Sequence, residues 1–405
     1  MIKSIARRPN SQSLLTQLIS NNALVKDVQN LDSVIVKKII HHIGLEDSGE
    51  LLMLLTSEQM LEVMDQDTWM SSRPGEDEHL DAKRFCTWLE VLLEVGSDFA
   101  AEKVAEMDED LLTAVLAQLV MAMDSDELDL MTRSAEDDGY SENKYLEKAL
   151  ESTFNMEIEG YLVMSKATFQ WDAISNLLIS LQKDHRDLID RILSRIQRVT
   201  LDQIEEFDGL YNLLKEGDML EGDVSYEREQ RREKEGFVAP SSAAAFLKLI
   251  AQTSLEDLLK SEEQDHISKM YFRNYKPSKV RQPSSISPEL LKILNVHGVN
   301  VTTSKAKLLG TGKAPSAMKK YFMELNVQDE IIFQQKLSEL NFLANILVSG
   351  YSGNKKRLRP VEAMDMVFHV CDEGLQYAIQ HNIKIDSSEI LKLFKVGWKL
   401  KQGPT

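Results

Sequence analysis

The stretch LDSVIVKKIIHHI at residues 31–43, followed by Gly44, decides the fold that we predict for this chain. Its apolar residues recur with helical spacing and share one face: Val34, Ile35, Ile39, Ile40 and Ile43. Asp32 stands just before the run, and Asp is a preferred N-cap because its carboxylate accepts a hydrogen bond from a first-turn N–H. Gly44 follows the last apolar residue, as is typical of a helix C-terminus. The stretch therefore predicts a short, individually capped helix with one buried face.

The same arrangement recurs along the chain. An apolar residue precedes a capping residue, and apolar residues follow at the fourth, seventh and eighth positions after the cap; the examples begin at Leu31, Leu55, Met107 and Ile385. Two interpretations stay open. Either short helices form a true repeat that stacks into a superhelical, armadillo-like array, or unrelated capped amphipathic helices produce the pattern. Both predict an all-α fold.

The composition agrees with helix and sets limits on function. The 405 residues are 43% apolar, with only 18 Gly and 9 Pro, which predicts a helical globular protein with a sizeable core. The net charge of −18 repels phosphate backbones, so we expect no nucleic-acid ligand. No signal peptide or membrane-spanning run is expected, and the two cysteines stand in no CxxC motif. These features favour a cytoplasmic protein.

Changes in composition divide the chain into four predicted parts. They are N-terminal helical repeats at 1–134, a middle helical block at 144–222, a charged linker helix at 223–236 and a C-terminal helical domain at 237–405. The linker carries the charged run EREQRREKE at 227–235, which predicts a solvated helix with ion pairs between residues four apart. Within the middle block, Thr200 and Gln203 form a capping-box pattern that predicts a new helix over 201–214.

The segment 271–320 differs from the rest because it is basic, contains four prolines and has Glu289 as its single acid. We predict an irregular insertion with a short helix at 288–296, started by Pro288 after Ser287, and a possible strand at 299–303. Its GTGK sequence at 310–313 lacks the other residues of a phosphate loop, so a flexible basic loop is expected there.

Basic side chains in and after this segment are the candidate partner-binding residues: Lys305, Lys307, Lys313, Lys355, Lys356, Arg357 and Arg359. They contrast in sign with the rest of the chain. We favour the interpretation that they dock against the chain's own acidic N-terminal half. The alternative is that they bind an acidic or phosphate-bearing partner.

Two acidic clusters are the candidate metal ligands: Glu106, Asp108 and Asp110, and Asp124, Asp126 and Asp129. Carboxylates are the ligands that Mg²⁺ and Ca²⁺ prefer. The second cluster lacks the glycine and terminal glutamate of an EF-hand loop, and acids at helix starts also stabilise the helix dipole. No catalytic triad or zinc motif is found, so no cofactor is expected apart from a possible Mg²⁺ or Ca²⁺ ion.

Two resemblances add to these patterns. Residues 45–69 (LEDSGELLMLLTSEQMLEVMDQDTW) and 99–123 resemble the helical repeats of the N-terminal domain of MgtE-type magnesium transporters and of FliG-type flagellar motor switch proteins. That resemblance implies stacked short helices used for regulation or assembly. The stretches YEREQRREKEGF at 226–237, RLRPVEA at 357–363 and FKVGWKL at 394–400 are similar to an uncharacterised bacterial domain-of-unknown-function family. In those stretches Gly236 and Gly397 would end helices, and Pro360 would start one.

Three hypotheses of function follow from the sequence. The leading one is a non-enzymatic helical scaffold or regulatory protein that binds a protein partner. The second is a sensor of divalent cations that uses the acidic clusters. The third is an enzyme of unrecognised type that holds a phosphate-bearing ligand at the basic loop.

Overall fold

The structure is a computed structural model of the chain. It describes residues 9–19, 22–73, 75–126, 153–166, 170–205, 216–260, 265–274, 287–299, 316–351, 353 and 358–402.

Helices dominate the described part of the chain. Those up to residue 205 are α1 (Pro9–Ile19), α2 (Asn22–Gln29), α3 (Ser33–Ile43), α4 (Gly49–Leu52), α5 (Ser57–Asp67), α6 (Ala82–Val95), α7 (Ser97–Ala105), α8 (Glu109–Leu119), α9 (Trp171–Asp184) and α10 (Arg186–Glu205). Those after it are α11 (Glu216–Lys234), α12 (Pro240–Gln252), α13 (Leu255–Lys260), α14 (His266–Asn274), α15 (Pro288–Val296), α16 (Ala317–Gln328), α17 (Glu330–Gly350), α18 (Pro360–Gln380) and α19 (Ile390–Lys401). The predicted all-α class is confirmed, whereas the superhelical stacking stays a prediction.

The chain divides into two compact units, each with its own apolar core. Unit 1 comprises Met1–Met70, Leu80–Tyr226 and Gln282–Val301. Unit 2 comprises the remaining segments, Ser71–His79, Glu227–Arg281 and Thr302–Thr405. None of the helices in the described ranges is long and apolar enough to cross a membrane.

Local capping in unit 1 follows the sequence prediction. The Asp32 carboxylate accepts a hydrogen bond from the Val34 N–H, and Gly44 ends α3 with φ of 102°. Thr56 and Gln59 form the predicted capping box of α5. These caps satisfy first-turn N–H groups that have no partner within the helix. The cap predicted at Asp386 is wrong, because α19 begins only at Ile390, after Glu389.

A small antiparallel sheet in unit 1 is the main element that the sequence did not predict. Its strands are β3 (Val120–Asp124), β4 (Asn155–Ile158) and β5 (Tyr161–Ser165), with β5 in the centre. Two two-residue strands, β1 (Trp69–Met70) and β2 (His79–Leu80), pair separately. In the sheet Val120 lies opposite Ser165, and Ile158 lies opposite Tyr161. The helix α8 therefore ends at Leu119, where β3 begins, and the middle block is not wholly helical.

Thr200 explains how the sheet attaches to a helix. It was predicted to begin a helix, but it lies inside α10, so that prediction is wrong. Its hydroxyl donates to the Ile196 carbonyl at 2.9 Å and accepts from the Ala122 N–H of β3 at 3.2 Å. A threonine within a helix commonly bonds back to the carbonyl four residues earlier, which frees the hydroxyl oxygen here to hold the strand.

Unit 2 is organised by close helix contacts. Gly397 was expected to end a helix, but it lies within α19, where a β-carbon would overlap the Val370 carbonyl oxygen of α18. The predicted helix at 223–236 is present within α11 and most of its residues are exposed or half-buried, but it is not solvated throughout, because Arg228 is only 3% exposed and forms an ion pair with Glu78. Gly236 ends the turn after α11 with φ of 97°, as expected.

The candidate strand at 299–303 lies outside the described residues from 300 onward.

Candidate functional site

The first acidic cluster is occupied by structural contacts. Glu106 lies at the C-terminal end of α7, where hydrogen bonds from Ser57 and Lys103 lower its pKa below the usual range. Asp108 is the N-cap of α8 and accepts from the N–H groups of Asp110 and Leu111. The Asp108 cap matches the helix-start interpretation of the cluster, whereas Glu106 lies at the end of a helix.

Arginines of α10 neutralise Asp110 of that cluster and the neighbouring Glu109. Arg195 forms an ion pair with Asp110 at 2.5 Å, and Arg191 forms one with Glu109 at 2.9 Å. Because a guanidinium competes with a cation for the same carboxylate oxygens, this arrangement favours helix packing over metal binding.

The second cluster is described only in part. Asp124 ends β3 and accepts a hydrogen bond from the Asp126 N–H at 2.9 Å, whereas Asp129 lies outside the described residues. Within the part of the chain that the structure describes, no group of three or more His, Cys, Asp or Glu side chains could hold a metal ion.

Of the candidate partner-binding residues, only Arg359 falls within the described ranges. It precedes α18, and its guanidinium pairs with Glu362 at 2.5 Å while its side chain remains 80% exposed. The hydrogen bonds from Arg359 lower the pKa of Glu362. The others lie outside the described residues: Lys305, Lys307, Lys313, Lys355, Lys356 and Arg357.

The structure instead brings four large apolar side chains to the surface where α16 turns into α17. We call this set the apolar corner: Met323 (40% exposed), Val327 (85%), Ile331 (74%) and Ile332 (41%). Met323 and Val327 are four residues apart on α16 and therefore lie on one face. Ile331 and Ile332 occupy the first turn of α17, close in sequence to Val327 in the last turn of α16, and Met323 lies one turn earlier.

The backbone at this corner is firmly held. Asp329 both ends α16 and caps α17, and its carboxylate accepts from the Ile331 and Ile332 N–H groups at 2.9 and 3.0 Å. Beneath the corner, the rings of Phe322 and Phe333 meet edge to face with centroids 6.2 Å apart. Both phenylalanines are buried. The exposed side chains thus project from a packed base and not from a loose loop.

The apolar corner was not predicted from the sequence, because Met, Val and Ile are also the residue types of a buried core. A signal was present, since α16 carries apolar residues on two faces: Met318, Phe322 and Leu325 on one, and Met323 and Val327 on the other. A helix with one buried face needs only one such stripe. A second apolar stripe indicates either burial on all sides or an exposed contact surface.

Comparison with known proteins places the chain in a family. The model described as "Family of unknown function (DUF6178)" matches residues 5–266, which is more than half of the chain. The chain therefore belongs to this family, and the expectation of a domain-of-unknown-function family is confirmed. No curated protein and no solved structure matches the chain.

Proposed function

We propose that this member of the DUF6178 family is a non-enzymatic helical scaffold that binds a protein partner through the apolar corner. The exposure of Val327 and Ile331, at 85% and 74%, carries the proposal. Removing a large aliphatic side chain from water contributes about 1.5–3 kcal/mol. The corner offers four such side chains in one place, whereas scattered single exposed residues need no explanation.

The rigidity of the corner also supports binding. Asp329 fixes the turn between the helices, and Phe322 and Phe333 fix the base beneath it. A surface that is already ordered loses little conformational freedom when a partner binds, so more of the burial energy appears as affinity. The net charge of −18 disfavours nucleic acid as the partner.

The other two hypotheses have less support. The cation-sensor hypothesis needs carboxylates to converge, but Asp108 caps α8 and Asp110 pairs with Arg195. The enzyme hypothesis depends on the basic loop at 305–320, most of which lies outside the described residues. We place the scaffold in the cytoplasm, because its two cysteines are free and buried, which fits a reducing compartment.

The test is site-specific photo-crosslinking in cells of the native source. One variant of the chain carries a photoreactive side chain at position 327 in place of Val327. A second variant carries it at position 379 in place of Ile379. Ile379 lies at the end of α18 and is 66% exposed, so it is a matched exposed residue outside the corner. We expect one discrete adduct from position 327, absent from position 379 and lost when Ile331 and Ile332 are changed to serine. Identical adduct patterns from the two positions would reject the proposal.

A further inference from the structure

Arginines in the second half of α11 form a surface. A loop of the same chain covers that surface. We call residues 71–79 the acidic strap. The Nη1 atoms of Arg228 and Arg232 each lie 2.8 Å from the same oxygen of Glu78. The side chains of Glu78 and Arg228 are only 11% and 4% exposed. Charge-assisted hydrogen bonds of this kind are about twice as strong as neutral ones.

The neighbouring carboxylate of the strap is bound by a different element. Asp77 accepts a hydrogen bond at 3.2 Å from the Ser241 N–H in the first turn of α12. Ala239, the N-cap residue of that helix, supplies no side-chain cap. The strap thus provides the acceptor that a capping side chain would otherwise provide. Adjacent Asp and Glu residues are therefore held by two separate sets of donors.

The receptor side of this contact is fixed by the fold. Arg228 is buried within unit 2, and the guanidinium carbon of Arg232 lies 3.5 Å from the centre of the Phe237 ring. Stacking on an aromatic face orients a guanidinium and leaves its edge available for a carboxylate. The arginines and the first turn of α12 therefore form a surface that is already arranged to accept two neighbouring acidic side chains.

The strap side is held in a different way. Of its described residues, 71–73 and 75–79, none is buried, so no apolar anchor fixes it to α11. Glu229 also weakens the attachment of the strap, because its carboxylate lies near that of Asp77. Burial together with the nearby charges of Asp77 and Glu233 raises the pKa of Glu229. The contacts described between the strap and the buried cationic receptor are made by carboxylates, and the last strap residue, His79, belongs to β2.

We infer that the surface formed by Arg228, Arg232 and the first turn of α12 is a binding site for an acidic segment of another protein, occupied here by Asp77 and Glu78 of the strap. A partner segment with adjacent Asp and Glu side chains competes for the same donors. Because the strap is tethered, its effective concentration is in the millimolar range for a short connection. It therefore acts as an intramolecular competitor that only a well-matched acidic partner displaces.

The experiment uses the full-length chain and a fluorescein-labelled peptide of residues 71–80, SSRPGEDEHL. Peptide binding is measured by fluorescence anisotropy to the wild-type protein and to the Asp77→Asn/Glu78→Gln variant. We expect the variant to bind the peptide at least about tenfold more tightly than the wild type, because its own strap no longer competes. Adding Arg232→Gln to the variant, or removing the two charges from the peptide, should abolish the gain.

Controls make each outcome decisive. Glu76→Gln removes an exposed charge of the same strap and should leave peptide binding at the wild-type level. Glu78→Gln alone serves if the double variant does not fold, as judged by circular dichroism. The inference is overturned if a folded variant binds the peptide no more tightly than the wild type does. It is equally overturned if neither variant folds, because an exchangeable strap must be dispensable for folding.

Discussion

Gly374 of α18 and Gly397 of α19 pack directly against each other. A β-carbon on Gly374 would come within 3.1 Å of the Gly397 nitrogen, and one on Gly397 within 3.0 Å of the Gly374 nitrogen. Each added β-carbon would also overlap a carbonyl oxygen of the opposite helix, that of Leu393 or of Val370. The backbones of the two helices are therefore in direct contact.

The first prediction concerns this contact. Gly374→Ala and Gly397→Ala should each destabilise the protein by about 3 kcal/mol or more, because the helices must separate or distort to admit the methyl group. The measurement is the free energy of unfolding from denaturant titration.

Gly222 provides the control for that prediction. It lies inside α11 and has no atom within 4 Å of an added β-carbon. Gly222→Ala should therefore stabilise the protein by about 0.5–1 kcal/mol, since alanine loses less conformational freedom in a helix than glycine does. A similar loss of stability in all three variants would show that the glycine–glycine contact has no special role.

The second prediction is that both cysteines are unreactive in the native protein. Burial, with the charges of Glu90 and Asp81, raises the pKa of Cys86 to about 12. Burial and the nearby Asp372 and Glu339 raise the pKa of Cys371 above its usual range. Since the thiolate is the reactive form, a thiol reagent at pH 8 should label neither residue until denaturant is added. Rapid labelling of either thiol without denaturant would contradict this.

The third prediction concerns the ion pair of Asp265 and Lys395, whose atoms lie 2.7 Å apart. Burial by itself raises the pKa of Asp265, but hydrogen bonds from Lys395 and Ser268 outweigh it and leave the pKa below the usual value. The Asp265 side chain is only 9% exposed. Asp265→Asn should therefore cost about 3–5 kcal/mol at pH 7, because Lys395 keeps its charge without the carboxylate.

The pH dependence of that effect has a definite sign. A lowered folded-state pKa contributes stability that is present above the unfolded pKa, near 3.9, and is lost as pH falls through the folded value. The difference in the free energy of unfolding between the wild type and Asp265→Asn should thus become smaller below about pH 4. Glu256→Gln breaks the exposed pair with Lys260 and should change stability by less than about 1 kcal/mol at any pH.

The fourth prediction concerns Glu229, where the sign is opposite. Burial is the main cause of its raised pKa, with Asp77 and Glu233 adding to it and Arg232 and Arg228 opposing it. When the folded-state pKa of an acid is raised, the free energy of unfolding of the protein decreases as pH rises through that value. Glu229→Gln should raise the melting temperature at pH 7 and leave it unchanged at pH 4. Glu227→Gln, on the exposed side of α11, should leave the melting temperature unchanged at both pH values. A lower melting temperature for Glu229→Gln at pH 7 would contradict this.

Most of the helix caps, which depend on neighbouring residues, were predictable from the sequence, although those at Asp386 and Thr200 were not. The caps at Asp32, Thr56, Asp108 and Ser287 were all predicted, and each is confirmed because capping involves residues two or three positions apart. The same holds for α15, which begins at Pro288 as expected.

Features that depend on distant residues were not predictable. The apolar residues of β3 continue those of α8, and their pairing partner β5 lies some 40 positions further on. Arg228 belongs to a run of charged residues whose pattern is typical of a solvated helix. It is buried because Glu78, 150 residues away in the sequence, pairs with it in the fold. Gly397 has the local pattern of a helix end, and only the approach of α18 explains its position inside α19. The apolar corner was missed for a related reason, because exposure is a property of the whole fold.

The most direct test of the central claim is a titration of the purified crosslinked partner against three forms of the chain. These are the wild type, the Val327→Ser/Ile331→Ser variant and the Ile379→Ser variant, whose stabilities should agree within about 0.5 kcal/mol because all three residues are exposed. We expect the corner variant to bind at least about tenfold more weakly, a loss of about 1.4 kcal/mol, and Ile379→Ser to bind like the wild type. Equal affinity of all three forms would contradict the account.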